Sequence, residues 1–277
     1  MLRRILVVLG ETPSSLAARQ YALRLAQGVQ VEIAGLAGVD SVYIERRMPG
    51  RVGATAYQAR LRESLTKQAD DTCKRLHEAF ESECRTHKLS FEWLSFEGDP
   101  VDSLCSAAET RDLVIAGHDT AFRGNVLVQL SEMLSKLLFI TPRPMIICPD
   151  RLSDADRILV AYDGSVSAMR ALQMFALLGA SRDRLVQILS VDANHEVAAR
   201  RTAGAANYLR IHGYQVEESP IASRLHPAKA LKSEIASRKT GTLIMGAYGH
   251  RGFQQFLFGS TTGTLIQNPP CALFLYH

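Results

Sequence analysis

The stretch Thr242-Leu-Ile-Met-Gly-Ala-Tyr-Gly249 passes from an apolar run of strand length into a loop that contains two glycines. The sequence Gly259-Ser-Thr-Thr262 follows and opens a segment that is compatible with a helix. The order strand, glycine loop, helix start is typical of a parallel α/β sheet. Gly246 and Gly249 let the backbone turn sharply and approach a ligand, and free amides at a helix start suit phosphate. The stretch therefore predicts both a fold class and a phosphate-binding loop.

Apolar runs of strand length alternate with helix-like segments along the whole chain. The pattern predicts strands over 3–9, 29–36, 89–96, 112–116 and 144–148, then over 157–162, 185–191, 215–220, 242–246 and 271–276. It predicts helices over 13–27, 54–87, 101–110 and 126–140, then over 171–178, 196–212 and 227–238. The polar segment 41–53 is interpreted as a loop or insertion. Such alternation predicts a parallel sheet that is covered on both faces.

The chain contains an internal repeat. Arg157-Ile-Leu-Val-Ala-Tyr162 repeats Arg4-Ile-Leu-Val-Val-Leu9 almost residue for residue, and the later strands follow in the same order. The segment 149–155 is then a linker between two domains, 1–150 and 151–277. Each is expected to be an α/β domain with an open five-stranded parallel sheet, in the strand order 3-2-1-4-5, and helices on both faces.

Composition narrows the class of protein. The 277 residues carry a net charge of +4, and the scattered Lys and Arg residues give no electrostatic case for nucleic-acid binding. No apolar stretch has the length of a membrane span, and the N-terminal strand is too short for a signal peptide, so we expect a cytoplasmic protein with no membrane partner. Five cysteines form no C-x-x-C pair, and eight dispersed histidines give no metal-binding motif.

In an open parallel sheet, ligands bind beyond the carboxyl ends of the strands, at the point where the strand order reverses. The order 3-2-1-4-5 places Tyr162-Asp-Gly-Ser165 beside the loop that begins at Gly246. Asp163 could accept a hydrogen bond from a ribose hydroxyl or help to hold a metal that is bound to phosphate. Alternatively, the Asp-Gly-Ser sequence only turns the chain and caps the next helix. The loop is neither a P-loop nor a G-x-G-x-x-G fingerprint.

The full spacing Gly246-x2-Gly249-x9-Gly259-Ser260 resembles the nucleotide-binding signature of the universal stress protein family. The run Ile158-Leu-Val-Ala-Tyr-Asp-Gly-Ser165 is similar to that family's first strand and acidic turn. The Pro-containing entries into the last strands, 140–147 and 268–274, are similar as well. The resemblance implies a tandem, two-domain member of the family that binds ATP or AMP, with or without Mg²⁺, in its second domain.

The resemblance also implies contacts around the nucleotide. Glycines and hydroxyls would contact the phosphates, an aspartate the ribose side, and the backbone at the end of the second strand the adenine. The residues that match are Gly246, Gly249, Gly259, Ser260 and Thr261 for the phosphates, Asp163 for the ribose, Val191 for the adenine, and Ala161, Tyr162, Met245, His250 and Thr262 for the rest of the pocket. His250 can equally be interpreted as a loop histidine that faces solvent.

The first half departs from this pattern. It has Gly10, followed by Glu11, where the second half has Asp163. An alignment on the apolar strands places Ala116 and Asp119 opposite the two loop glycines, and a carboxylate at that place would repel phosphate. We therefore expect nucleotide binding in the second domain only.

Three functions agree with these patterns. The first is a stress-response regulatory protein that responds to nucleotide occupancy. The second is a slow ATPase or phosphotransferase at the same site, although no motif fixes the geometry of Asp163, His250 and Arg251. The third is a structural pseudo-dimer without nucleotide. The halves are expected to pack as an internal pseudo-dimer through the strands at 145–148 and 272–276, while a homodimer and a protein partner stay open.

Overall fold

The computed structural model describes residues 1–42, 55–120, 137–138, 140–224, 227–247 and 260–277. The strands are β1 (Arg4–Val8), β2 (Glu32–Val39), β3 (Ser90–Glu97), β4 (Leu113–Gly117), β5 (Met145–Cys148), β6 (Arg157–Ala161), β7 (Leu185–Asp192), β8 (Gln215–Ala222), β9 (Thr240–Gly246) and β10 (Ala272–Tyr276). The helices are α1 (Pro13–Ala26), α2 (Thr55–Thr86), α3 (Pro100–Ala108), α4 (Val166–Leu178), α5 (His195–Ile211), α6 (Pro227–Arg238) and α7 (Ser260–Gln267). The predicted insertion at 43–53 and most of the predicted helix at 126–140 lie outside the described residues.

The strands form one sheet in the order β3-β2-β1-β4-β5-β10-β9-β6-β7-β8. Strands β1 to β5, here called the first half, pair in parallel in the order 3-2-1-4-5. Strands β6 to β10, the second half, repeat that order from the opposite edge, again in parallel. The predicted α/β class and strand order are confirmed.

The two halves meet along their last strands. Strand β10 pairs antiparallel with β5, with Leu273 opposite Ile147 and Leu275 opposite Met145. These are the two strands that the sequence offers for a contact between the halves. Side chains also cross the junction, since the Tyr21 hydroxyl of α1 lies 2.8 Å from Thr242 Oγ1 of β9.

The sheet is covered on both faces, because successive side chains of a strand point to opposite sides. On one face, α1, α2, α4 and α5 pack with Ile5 and Ile158 into a single apolar cluster. On the other face, α3, α6 and α7 pack with Leu6 and Leu159 into a second cluster. All four of these strand residues are at most 3% exposed. Burying a side chain of this size stabilises a fold by about 1.5–3 kcal/mol, so the near-continuous apolar strands are what a doubly covered sheet requires.

The longest helix, α2, lies over β2 and the edge strand β3. Phe80 of α2 is fully buried there, and Arg19 of α1 forms an ion pair of 2.8 Å with Glu83. None of the helices in the described part of the chain is long and apolar enough to cross a membrane.

Candidate functional site

The turn after β6 holds Asp163, Gly164 and Ser165. The Asp163 carboxylate accepts a hydrogen bond of 2.9 Å from the Ser165 amide, and Gly164 adopts a positive φ of 78°. Ser165 then caps α4, because its hydroxyl accepts a hydrogen bond from the Ala168 amide at 3.2 Å. The structure therefore confirms that the Asp-Gly-Ser sequence turns the chain and caps the next helix. The Asp163 side chain is nevertheless exposed at the carboxyl end of the sheet, where a ribose hydroxyl would approach.

Gly246, at the end of β9, packs against the first turn of α4. A Cβ atom at this position would lie 2.5 Å from the Ala168 nitrogen and 2.6 Å from Ser167 Oγ, closer than any real side chain approaches. The glycine thus lets β9 and α4 meet, and it brings the carboxyl end of β9 beside the turn that carries Asp163. Its phosphate contact remains a prediction.

Three predicted pocket residues lie on the same face of the sheet. Ala161, Val191 and Met245 lie in the last two residues of neighbouring strands and pack in or against the cluster formed by α6 and α7. Tyr162 points the other way, against the cluster formed by α4 and α5. Its burial and the nearby Asp163 carboxylate raise the pKa of its hydroxyl. The structure therefore groups Ala161, Val191 and Met245 and separates Tyr162 from them.

The remaining predicted residues lie in or just after the glycine loop. Gly249, His250 and Gly259 fall outside the described residues, as do the side chains of Ser260 and Thr261. The backbone of Ser260 begins α7, as expected for a loop that leads into a helix. Thr262, in the first turn of that helix, is buried with 3% exposure.

The strand register corrects the alignment of the two halves. Ile5 lies beside Leu113 in the first half, and its repeat partner Ile158 lies beside Thr242 in the second. Counting from these pairs places Gly117, and not Ala116, opposite Gly246. The predicted alignment was wrong by one residue, because the two apolar runs begin at different points relative to the strand ends.

Close packing confirms the corrected alignment. A Cβ atom at Gly117 would lie 2.5 Å from the Ser14 carbonyl carbon and 2.6 Å from the Ser15 nitrogen, which are the counterparts of the atoms that approach Gly246. By the same count Asp119 stands opposite Tyr248, and Thr120 stands opposite Gly249. The first half has therefore kept the first loop glycine and has a threonine in place of the second.

Polar side chains fill the switch point of the first half, which is the space between the carboxyl ends of β1 and β4 where the strand order reverses. The Ser15 hydroxyl lies 2.9 Å from both Thr12 Oγ1 and Thr120 Oγ1. Thr120 Oγ1 also accepts a hydrogen bond of 2.9 Å from the Gly117 amide, and Thr120 is fully buried. A Cβ atom at Gly10 would lie 2.7 Å from Ser15 Oγ. An aspartate in place of Gly10 would therefore force the Ser15 hydroxyl away from its present hydrogen-bond partners.

Two charged residues that the sequence did not single out lie next to the Asp163 turn. Arg201 of α5 donates a hydrogen bond of 2.8 Å to Asp192 at the end of β7, and its side chain lies against Gly164. A hydrogen bond from the Asn194 amide, together with Arg201, lowers the pKa of Asp192 below its ordinary value. The only sequence signal was a carboxylate directly after a predicted strand.

Comparison with known proteins adds independent findings. Residues 155–277 match the model of the universal stress protein family. A universal stress protein of Synechocystis sp. (strain PCC 6803) is 26% identical over 158 residues, which cover 56% of this chain and 54% of that protein. The chain thus matches about half the length of this curated relative.

Solved structures agree with the fold over nearly the whole chain. A universal stress protein from Archaeoglobus fulgidus DSM 4304 superposes with a TM-score of 0.66 at 19% identity and covers 99% of this chain and 97% of its own. A functionally unknown protein from Pseudomonas aeruginosa PAO1 gives 0.54 at 17% identity, with 99% and 92% covered. At these identities the likeness concerns the fold alone. Residues 155–277 are thus similar to the universal stress protein family, and the fold of the whole chain is that of a solved universal stress protein.

Proposed function

We propose that this chain is a tandem universal stress protein and that its second domain, 151–277, binds an adenine nucleotide and signals through its occupancy. The first domain, 1–150, provides a related scaffold that does not bind nucleotide in the same way. In this proposal ATP or AMP, with or without Mg²⁺, lies at the carboxyl ends of β6, β7 and β9, and the loop after Gly246 holds the phosphates.

One difference between the two halves carries the proposal. The first half combines Gly10 with Ser15, whose hydroxyl occupies the space beside the turn. At the equivalent positions the second half combines Asp163 with Ala168, which has no such hydroxyl. The second half thus has an acidic group next to the position at which it lacks the competing hydroxyl. A carboxylate suits a ribose hydroxyl, and it gives no benefit to core packing.

The apolar side of the proposed pocket favours a ligand with an adenine ring over a small anion. Ala161, Val191 and Met245 form an apolar floor next to the exposed Asp163. Ligand sites commonly combine such a floor with few polar groups that fix orientation. No sequence motif fixes the geometry of a nucleophile and a base near this turn, so we favour binding over efficient hydrolysis.

The proposal is tested by exchanging the residues that stand opposite each other in the loops. Gly249→Thr gives the second half the side chain that the first half has at Thr120. Thr120→Gly makes the reverse change in the half that is expected not to bind. Each protein is purified under the same conditions, and bound nucleotide is released by denaturation, identified by mass spectrometry and counted per chain.

We expect about one adenine nucleotide per chain in the parent protein and in Thr120→Gly, and strong depletion in Gly249→Thr. Isothermal titration with ATP and AMP then ranks the two ligands, and Asp163→Asn is expected to weaken both. Equal nucleotide content in the parent protein and Gly249→Thr, or none in either, would refute the site. Turnover of ATP that Asp163→Asn abolishes would instead favour the slow ATPase.

A further inference from the structure

Three side chains with metal-binding donor atoms converge in the first half, at the carboxyl ends of β4 and β5. They are His118, Asp119 and Asp150, and one ligand atom from each lies within 4.8 Å of the others. His118 Nε2 lies 3.0 Å from Asp150 Oδ1. This group is separate from the proposed nucleotide site, which lies in the second half.

The strands hold the three residues in place. His118 directly follows β4, and its amide donates a hydrogen bond of 3.0 Å to the Cys148 carbonyl at the end of β5. Asp150 follows two residues after that carbonyl. Asp119 accepts a hydrogen bond from the Ser14 hydroxyl, which belongs to the first turn of α1. Two paired strands and one helix thus fix the spacing of the donor atoms before any ligand arrives.

Among the described residues, Lys and Arg side chains do not balance the local charge. Across the parts of the chain that the structure describes, neither Asp119 nor Asp150 forms an ion pair with Lys or Arg, and the only ionic partner of Asp150 is the His118 ring. Two carboxylates this close repel each other unless a cation or a proton lies between them. The His118 side chain is 19% exposed and that of Asp150 is 60% exposed, so an ion can reach the group from solvent.

We propose that His118, Asp119 and Asp150 bind a divalent transition-metal ion. The donor set decides the class of metal, because one imidazole nitrogen and two carboxylate oxygens suit Zn²⁺, Mn²⁺ or Co²⁺, whereas Mg²⁺ and Ca²⁺ prefer oxygen donors alone. Three protein donors leave coordination positions for water or an external ligand. The Ser14 hydroxyl, hydrogen-bonded to Asp119, acts as the outer partner that orients a ligating carboxylate.

The second half does not repeat the group. By the strand register, His118 and Asp119 correspond to Ala247 and Tyr248, neither of which carries an imidazole or a carboxylate. The proposed metal site therefore belongs to the half that lacks the nucleotide signature. It does not depend on the proposed nucleotide site.

The experiment uses the full chain after treatment with a chelator and dialysis. Co²⁺ is added while its visible absorption is recorded, and Zn²⁺ is then titrated against it. We expect one Co²⁺ per chain, displaced by Zn²⁺ but not by an excess of Mg²⁺. His118→Ala and Asp150→Asn should each weaken binding at least about tenfold, since each removes a direct ligand.

Matched controls are His195→Ala and Asp154→Asn, which change exposed residues of the same types in the second half and the linker. Both should bind Co²⁺ as the parent protein does, and circular dichroism should show that all four variants are folded. The proposal is overturned if the parent protein binds no Co²⁺, or if His118→Ala and Asp150→Asn bind it as tightly as the controls. Equal binding of Mg²⁺ would also overturn the mixed nitrogen and oxygen site.

Discussion

The two switch points of this sheet are built on the same backbone plan and differ in how they are filled. In both halves a hydroxyl caps the helix after the first strand, from Thr12 to α1 and from Ser165 to α4. In the first half, Ser15 and Thr120 then close the space between β1 and β4 with hydrogen bonds. The second half has small residues at both equivalent positions. Under the proposed function, these two hydroxyl side chains are enough to close the first half to a nucleotide.

The comparison also explains why the position of Gly246 requires a glycine. Gly117 and Gly246 occupy equivalent positions and meet the same part of the neighbouring helix. Because the half without the nucleotide signature keeps its glycine, packing between strand and helix is enough to require it. The first glycine of the spacing is therefore required by the fold, and in the proposed function the later loop residues carry the ligand specificity.

The largest expected effect comes from adding one methyl group at either shared glycine. Gly117→Ala and Gly246→Ala each force a Cβ atom to within about 2.5 Å of helix backbone atoms. Overpacking of this kind destabilises a protein by about 1–3 kcal/mol, and we expect both variants to lose stability by similar amounts. Urea unfolding, followed by circular dichroism, measures the loss.

Gly204→Ala is the matched control for these two variants. Gly204 lies inside α5, and a Cβ atom there meets nothing within 4 Å. Alanine is favoured over glycine in a helix by about 0.8–1 kcal/mol, so this variant should gain stability. A Gly246→Ala protein as stable as the parent protein would show that the two switch points are not packed alike.

A loss no larger than that of the glycine variants is expected from Thr120→Val, which keeps the shape of the side chain and removes its hydroxyl. The buried Gly117 amide then loses its acceptor, and Ser15 loses a partner. Leaving such groups unsatisfied costs about 1–3 kcal/mol. The control is Thr202→Val in α5, where the buried hydroxyl donates to the Ala199 carbonyl within its own helix. Unfolding in urea should separate the two, and equal losses would contradict a structural network in the first half.

The sequence predicts the layers of this fold well, for a physical reason. A strand that is buried on both faces must be apolar throughout, so β1, β4, β6 and β9 can be recognised in the sequence as short continuous runs of apolar residues. The repeat of Arg4-Ile-Leu-Val in Arg157-Ile-Leu-Val then predicts the repeated strand order of the two halves. The ends and the register of the strands are harder to predict, because an apolar run does not show which of its residues pairs with which residue of the neighbouring strand. The misplacement of Gly117 follows from that ambiguity.

Contacts between distant segments could not be predicted in the same way. The sequence offers β5 and β10 as contact strands, but apolar composition does not indicate that they pair antiparallel within one sheet. His118 and Asp150 are separated by a helix-like segment and a strand, so their proximity has no local motif. The Asp163 turn was predictable because its three residues are adjacent, whereas the contact of Arg201 with Gly164 depends on how α5 packs.

Tyr21 tests a difference between the halves at their junction. Its hydroxyl binds Thr242 across the junction, whereas the equivalent residue of α4 is Met174. At neutral pH, Tyr21→Phe should cost roughly 1 kcal/mol, the usual value of one hydrogen bond. Urea unfolding of the parent protein and the variant, side by side, measures the difference.

The same pair of proteins should behave differently in alkali. Burial raises the pKa of Tyr21 from 10.0 to about 12 in the folded chain. The neutral hydroxyl is therefore favoured by folding, and this contribution is complete below pH 10 and is lost as the pH rises from 10 to 12. Each pKa unit corresponds to about 1.4 kcal/mol, so the advantage of the parent protein over Tyr21→Phe should vanish and reverse in that window. A constant difference up to pH 12 would show that Tyr21 is not desolvated.

The smallest effects on stability are expected from the arginines that contact the two turns. Arg75 forms an ion pair of 2.7 Å with Glu11 in the first half, and both side chains are more than half exposed. Arg201 lies against Gly164, the counterpart of Glu11, and pairs with Asp192. Exposed pairs contribute little to stability because water and salt screen them, so Arg75→Gln and Arg201→Gln should both unfold close to the parent protein.

Nucleotide binding should nevertheless separate these two variants. Arg201 connects the end of β7 with the turn that presents Asp163, so Arg201→Gln should weaken ATP binding a few-fold by loosening that turn. Arg75→Gln changes the equivalent turn of the half that is expected not to bind, and it should leave the affinity unchanged. Isothermal titration of both variants measures this contrast. If Arg75→Gln and Arg201→Gln weakened ATP binding equally, the nucleotide would not be confined to the second half. The turn that Arg75 contacts follows β1, which is separated from β6 by four strands, so it cannot touch a ligand bound at β6.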